Sequence, residues 1–367
     1  MPEYPLVDNA VFEADEEYIP QPEPEPQPPV WMDGSVRMGI HTSISGSYLN
    51  ALESAKKLGA NALQIFSASP RMWQVAKVGI PVADARAFRT RREQLGLGPL
   101  VIHANYLVNL AATQPMLRTR SIQAFHEELV RGTVLGADFI VVHPGARGEV
   151  SIESAVGTII EGVKQAAKRV PLGKMQILIE NTAGMGTSVG SRLEEVGAIL
   201  YGLRELNVGA CLDTAHLFAA GYDLRSEAGL DRTIELIEQT IGLARVPVFH
   251  VNDSKIALGG RVDRHEHLGE GKIGKGALAR ILRHPRLGTV PPEGLPGRVF
   301  LLETPIDDPG DDRKNVARLW ALAGVEGPEA AKGFSMLTPA MKRAMAKSGK
   351  KMSSRHLPGK QSRNRKK

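Results

Sequence analysis

The sequence predicts an α/β protein whose 367 residues are dominated by a single (β/α)8 barrel, and three observations carry that prediction. A short apolar, β-prone run recurs eight times between Val36 and Val325. Each run is followed by a segment whose apolar residues recur at three- and four-residue spacing. Besides the first run, which ends at His41, six of the other seven deliver a histidine, aspartate or glutamate at or near their end. Runs of this length without polar alternation suit parallel strands buried on both faces. Eight β-then-α units in succession close into a TIM barrel more naturally than they open into a doubly wound sheet.

In chain order the runs are RMGIH ending at His41, ALQIF ending at Phe66, LVIH ending at His103 and FIVVH ending at His143. They continue with ILIE ending at Glu180, ACLD ending at Asp213, VFHVN around His250 and VFLLE ending at Glu303. Helical spacing marks 47–58, 84–95, 119–135, 151–169, 192–204, 229–242, 275–284 and 313–323. Hydrophobic residues make up 42% of the chain, enough for a barrel-sized core.

Charge is unevenly placed around this core. The net charge is +6, yet residues 1–33 hold nine acidic residues and no basic one, and 342–367 hold eleven Lys or Arg and no acidic one. The division expected is an acidic Pro/Glu-rich disordered tail at 1–35, the barrel at 36–325 and a basic disordered tail at 326–367. The basic end is suited to non-specific phosphate contacts as well as to solubility. A single cysteine, Cys211, excludes an intramolecular disulfide and fits a reducing compartment. With no secretory signal and no span long enough for a bilayer, a soluble cytoplasmic protein is expected.

The strand ends carry the chemistry. In a parallel barrel they share one mouth, where barrel enzymes place their active sites. His103, His143, Glu180, Asp213, His250 and Glu303 meet there, and two further pairs lie just beyond strand ends, Asp213 with His216 and Asp263 with His265. Ionisable groups crowded in this way are costly unless cations neutralise them. Mixed imidazole and carboxylate without thiolate suits catalytic zinc or manganese better than magnesium or calcium. At about three protein ligands per open catalytic metal, nine ligands serve roughly three ions. His41 ends the first strand as a supporting group, whereas His126, His284 and His356 are read as ordinary structural or surface histidines.

With those residues in hand, the chain resembles endonuclease IV, the trinuclear-zinc apurinic/apyrimidinic endonuclease family. The matching strings are HANYLVNL (103–110), HPG (143–145), ENTAG (180–184), DTAHLFAAGYDLR (213–225), HVNDSK (250–255), GRVDRHEHLGEGKIG (260–274) and LLETP (301–305). They span nearly the whole barrel and include neither tail. The resemblance implies three zinc ions, with manganese able to occupy one site. His103, His143 and Glu180 hold the first; Glu180, Asp213, His250 and Glu303 the second; His216, Asp263 and His265 the third. It implies a deoxyribonuclease IV of the phage-T4-induced type, hydrolysing the phosphodiester 5′ to an abasic site in duplex DNA and leaving a 3′-hydroxyl. A zinc-bound hydroxide is the expected nucleophile, with Glu180 the central catalytic residue and a monomer the expected state.

The resemblance also assigns DNA insertion to Arg71, Tyr106 and Leu107, on loops where wedges can enter a base stack. The first of these loops departs from common family forms, since Ser69 and Pro70 precede the arginine and Met72 follows it. Arg264, between two ligands, is a candidate phosphate contact or, equally, a partner in a structural salt bridge. The alternative on the same barrel is a metal-dependent sugar isomerase or epimerase. Such an enzyme needs fewer ligands and has no use for Arg71, Tyr106 and Leu107. A DNA-binding protein without chemistry is the third reading, and nine intact ligand positions argue against it.

Overall fold

The computed structural model describes residues 36–73, 79–288 and 297–332. Eight parallel strands close into a barrel: β1 (Arg37–His41), β2 (Ala62–Phe66), β3 (Leu100–His103), β4 (Phe139–Val142), β5 (Gln176–Glu180), β6 (Val208–Asp213), β7 (Val248–His250) and β10 (Val299–Leu302). Neighbours in sequence are neighbours in the sheet, and β10 returns to pair with β1 through Arg37 opposite Val299 and Ile40 opposite Leu302. Each run expected from the sequence is a strand, within two residues at either end. A two-stranded antiparallel ribbon, β8 (Asp253–Ser254) with β9 (His265–Glu266), was not foreseen. Strands of two residues carry no periodicity that a sequence can display.

The outer helices are α1 (Tyr48–Leu58), α2 (Val82–Gln94), α3 (Pro115–Leu135), α4 (Ile152–Ala167), α5 (Leu193–Gly202), α7 (Glu227–Thr240), α8 (Lys275–Arg283) and α9 (Asp311–Ala323). Ser47, Ser151 and Ser226 cap α1, α4 and α7 by accepting from the backbone N–H three residues on. Helix α3 begins four residues earlier than its apolar spacing suggests, with Pro115 in its first turn, where the missing N–H costs nothing. A short extra helix, α6 (Thr214–Ala220), follows β6 directly and is capped by Asp213 through the His216 N–H.

The fold also runs past the boundary expected at 325. Helix α10 (Glu329–Lys332) buries Ala331 to 6% exposure in the main core, against a surface where Trp320 Nε1 donates to the Gly59 carbonyl at 3.1 Å. The segment called a tail therefore contributes its first residues to the barrel. The expectations for 1–35 and for the remainder of the basic end fall outside the described residues.

Apolar packing forms two bodies. The larger lies between the strands and the helices. The smaller fills the barrel itself, with Ala62, Val101, Phe139, Val141, Leu178, Cys211, Val248, Val299 and Leu301. Gly39 joins this interior because a β-carbon there would lie 2.2 Å from the Ala62 carbonyl oxygen, and Leu301 fills the space instead.

Candidate metal centre

Side chains two residues apart on a strand point to the same side of the sheet. Two residues beyond Gly39, Ala62, Val101, Val141, Leu178, Cys211, Val248 and Leu301 stand His41, Gln64, His103, His143, Glu180, Asp213, His250 and Glu303. The barrel interior thus ends in one polar side chain per strand. Loop residues complete the cluster: His216 from α6, and Asp263 and His265 from the segment leading into β9. All nine sequence-predicted ligands converge.

Glu180 is fully buried at the centre, and its two oxygens face different partners. Oε2 lies 3.2 Å from His103 Nε2 and 3.2 Å from His143 Nε2. Oε1 lies 2.9 Å from His250 Nδ1. Around His250 gather Glu303 at 3.3 Å and Asp213 at 4.0 Å. Asp263 spans the remaining pair, one oxygen 3.2 Å from His216 Nε2 and the other 3.3 Å from His265 Nε2. Donor atoms of His103, His143 and Glu180 lie within 4.8 Å of one another, as do those of Glu180, Asp213, His250 and Glu303, and those of Asp213, His216 and His265.

Hydrogen bonds decide which imidazole nitrogen faces this centre. Nδ1 donates to a carbonyl in three cases, His103 to Ala104 at 2.8 Å, His216 to Asn181 at 2.9 Å and His265 to Glu303 at 3.0 Å. That leaves the Nε2 lone pair pointing inward. His250 is turned the other way. Its Nε2 donates to Gln64 Oε1 at 2.8 Å, so Nδ1 faces inward. Gln64 Nε2 meanwhile donates to Glu303 and lies 3.1 Å from His41 Nδ1, which makes Gln64 a fork between two ligands and the supporting histidine.

The asparagines after β5 and β7 act similarly. Asn181 Oδ1 accepts from the Asp213 N–H at 2.7 Å, and Asn252 holds the Asp213 carboxylate at 2.6 Å and the Glu303 N–H at 2.9 Å. Buried Asp253 receives the N–H groups of Gly269, Gly271, Ile273 and Gly274, folding the segment behind His265 against β8. Gly271 has to be glycine, since a β-carbon would sit 2.4 Å from that carboxylate. The sequence reading named none of Gln64, Asn181, Asn252 or Asp253. Gln64 alone had a legible signal, as a polar residue two positions after Ala62 in a strand with no other.

Electrostatics follow from the crowding. Burial disfavours a charge on Glu180, but His143, His250 and His103 outweigh it and hold the carboxyl well below the usual carboxylate range. Burial likewise opposes ionisation of Glu303, yet His250 and His103 bring it down to about 2. His216 rises well above the ordinary imidazole value because Asp213, Asp263 and Glu180 overcome its burial. His250 does so as well, with Cys211, Glu303 and Glu180 outweighing its burial. His41 goes the other way, lowered by burial to about 4, as befits a neutral acceptor for Gln64. Cys211, one layer below, is pushed up to about 12 by burial and stays a thiol.

These residues fit metal ions. His216 Nε2 and His265 Nε2 are buried with no hydrogen-bond partner among the described residues. In the ion pairs of the described residues, Glu180, Asp213, Asp263 and Glu303 meet only imidazoles. Inward lone pairs facing buried carboxylates call for a cation. A second group, Glu266, His267 and Asp307, does not show the same fit. The Leu268 N–H fixes Asn315 so that its amide donates to His267 Nδ1 at 2.9 Å, and Nε2 must then carry the proton facing Asp307.

Of the remaining candidates, Arg71 and Tyr106 are exposed at the mouth and Leu107 is half-buried. The Arg264 guanidinium donates to the neighbouring Asp263 carbonyl at 2.9 Å. His126 Nδ1 lies 2.8 Å from the Ala166 carbonyl and His284 pairs with Asp231, both outside the centre.

A family model described as a xylose isomerase-like TIM barrel matches residues 52–320. A protein of Solibacter usitatus (strain Ellin6076) named probable endonuclease 4 is 46% identical over 296 residues, covering 80% of this chain and 99% of its own. The chain belongs to the endonuclease IV family. The crystal structure of endonuclease IV from Thermus thermophilus superposes with a TM-score of 0.68 at 40% identity, over 78% of this chain and 99% of its own. An E. coli 3-keto-D-glucoside 4-epimerase reaches a TM-score of 0.55 at 13% identity, over 78% of this chain and 100% of its own, and shares the barrel alone. Endonuclease IV kinship therefore accounts for the matched strings at the mouth, whereas the sugar enzyme accounts only for the architecture.

Proposed function

We propose that this protein is an apurinic/apyrimidinic endonuclease that hydrolyses the phosphodiester 5′ to an abasic site in duplex DNA and leaves a 3′-hydroxyl. The observation that carries the reading is the nine-residue cluster on an endonuclease IV barrel, with every carbonyl- or amide-bonded histidine presenting its free nitrogen inward. His103, His143 and Glu180 would hold one zinc, Glu180, Asp213, His250 and Glu303 a second, and His216, Asp263 and His265 a third. Bound zinc supplies Lewis acidity toward phosphoryl oxygens and lowers the pKa of water at the site. Three Zn2+ against four carboxylates leave about two positive charges, which attract a phosphate.

The chain's own part is to fix that arrangement and present the DNA. Glu180 directs one oxygen to each side of the cluster, which suits a bridging ligand. Gln64, Asn181 and Asn252 hold ligand geometry from behind. Arg71, Tyr106 and Leu107 fill the stack left by a displaced abasic nucleotide. No side chain is needed as a covalent nucleophile. The eleven basic residues of 342–367 add phosphate contacts that raise affinity without selecting the lesion. No described helix is long and apolar enough to cross a membrane.

The test is a duplex carrying one tetrahydrofuran abasic analogue, incubated with the zinc-loaded protein with and without chelator. Expected are a single cut 5′ to the analogue, a 3′ end that a polymerase extends, and loss of cutting on chelation that zinc restores. An intact duplex, with ketose epimerisation in its place, would transfer the reading to the sugar enzymes.

A further inference from the structure

Two loops on neighbouring strands flank the mouth, and one buried amide ties them together. The described part of the loop after β2, 67–73, carries Arg71 at an exposed position. The loop after β3 carries Tyr106, 64% exposed, and Leu107. Asn105 stands between them at 7% exposure. Its Nδ2 donates to the Met72 carbonyl at 2.8 Å and to the Ser69 carbonyl at 3.3 Å, acceptors on either side of Arg71. Its Oδ1 accepts from the Leu107 N–H at 2.7 Å. One side chain closes the first loop with its donor end and shapes the second with its acceptor end, which only an amide of this length does.

The described part of the first loop is anchored at its base and again where Trp73 packs against the core. Tyr48 donates to the Ser67 carbonyl at 2.5 Å, and the Ser67 hydroxyl sits between Glu128 and Arg131, with Arg131 Nε at 2.8 Å. Between those anchors the Met72 N–H turns back to Ser69 at 3.3 Å, and Asn105 ties that turn to the loop after β3. Tyr106 reinforces the link, its ring edge-on to Phe66 at 5.1 Å just before the first loop begins. The second loop in turn starts at the Ala104 carbonyl that orients His103.

We propose that Asn105 is a positioning residue that couples the two loops, so that Arg71 and the Tyr106–Leu107 pair enter damaged DNA as one preorganised wedge. The inference rests on the reading of those three residues as DNA-inserting. Loops that must each be ordered on contact lose affinity to that ordering, and a shared buried clamp removes the loss beforehand. Asn105 touches no reacting atom, so its effect belongs to engagement of the duplex.

A double-mutant cycle on the zinc-loaded, full-length protein tests it. Asn105→Ala removes hydrogen bonds to both loops and should lower kcat/KM on the abasic duplex by about tenfold, mostly through KM. Zinc content and hydrolysis of bis(p-nitrophenyl) phosphate should hold at wild-type values. In an Arg71→Ala background the same substitution should cost clearly less than in the wild type, because one of the groups it positions is gone. Equal losses in both backgrounds, or a parallel fall in zinc content, would overturn the coupling. Asn105→Asp keeps the shape and the acceptor for Leu107 but loses the donors, and should match Asn105→Ala; wild-type behaviour there also overturns the proposal. Arg71→Ala/Tyr106→Ala/Leu107→Ala separates the two levels. A triple variant that cuts normally defeats the wedge reading itself, whereas an impaired triple variant beside an unimpaired Asn105→Ala defeats only the coupling.

Discussion

Two successive layers of the same barrel follow opposite rules. The lower, with Ala62, Val101, Val141, Leu178, Cys211, Val248 and Leu301, is a fully buried layer whose packing is governed by shape, with only Cys211 reaching up toward His250. The upper, two residues further along each strand, consists of His41, Gln64, His103, His143, Glu180, Asp213, His250 and Glu303, joined to one another by hydrogen bonds and ion pairs. One rung along the strand separates a layer that stabilises the fold from one that strains against it. Buried carboxylates and imidazoles cost free energy unless paired, and pairing among themselves leaves inward lone pairs over. The lower layer supplies the rigidity that lets the upper one stay assembled in a geometry made for a cation.

Glu180→Gln should break the upper layer most. The amide keeps the size but loses the charge, and cleavage of abasic duplex should fall on the order of a thousandfold, the scale of metal-based charge stabilisation. Metal content by elemental analysis should drop with it while circular dichroism stays native. Near-wild-type cutting would remove Glu180 from the bridging role.

Leu178→Ala, directly below, should do the reverse. Leu178 is fully buried, and the truncation should cost about 2–5 kcal/mol in denaturant unfolding. Turnover per metal-loaded, folded molecule should stay within about twofold, since additivity holds where no partner is shared. A large loss of turnover would mean that the two layers are not separable.

Gln64→Leu tests the fork joining His250, Glu303 and His41. Removing such a partner typically costs about 10–100-fold in metal affinity, readable by competition with a chelator. Unchanged affinity would leave Gln64 as filler between strands.

The smallest effect, and the sharpest sign, concerns pH. In metal-free protein the raised values of His216 and His250 contribute stability that is complete below about 6.5 and is lost as pH rises through the folded values. Glu303 contributes stability present above its unfolded value near 4.5 and lost as pH falls toward about 2. Metal-free protein should therefore melt at progressively lower temperature from about pH 6 upward through these groups. Zinc-loaded protein should show the opposite trend, because metal displaces those protons and binds more tightly as pH rises. Parallel melting curves with and without zinc would detach the imidazoles from the metal.

The sequence by itself determined the barrel, the order of its strands and all nine residues that gather at the mouth. Those features are local: an apolar run, a helical spacing, a polar residue where a strand stops, each set within a few residues of chain. Membership of His103, His143, Glu180, Asp213, His250 and Glu303 followed because parallel strands share one mouth whatever their register, whereas His216, Asp263 and His265 followed from lying in the segments just beyond strand ends. Tertiary structure decided everything that depends on a partner far along the chain. Gln64 acts only because β2 lies across the mouth from His250 and Glu303, 186 and 239 residues later. Which imidazole nitrogen faces inward was set by carbonyls of Ala104, Asn181 and Glu303 and by that glutamine, none of it encoded in residue type. Asn105 read as one letter in a loop until folding set it between Met72 and Leu107. Helix α10 showed no apolar repeat because a single turn offers one buried position, and Ala331 is buried only because α1 and α9 are already in place to receive it.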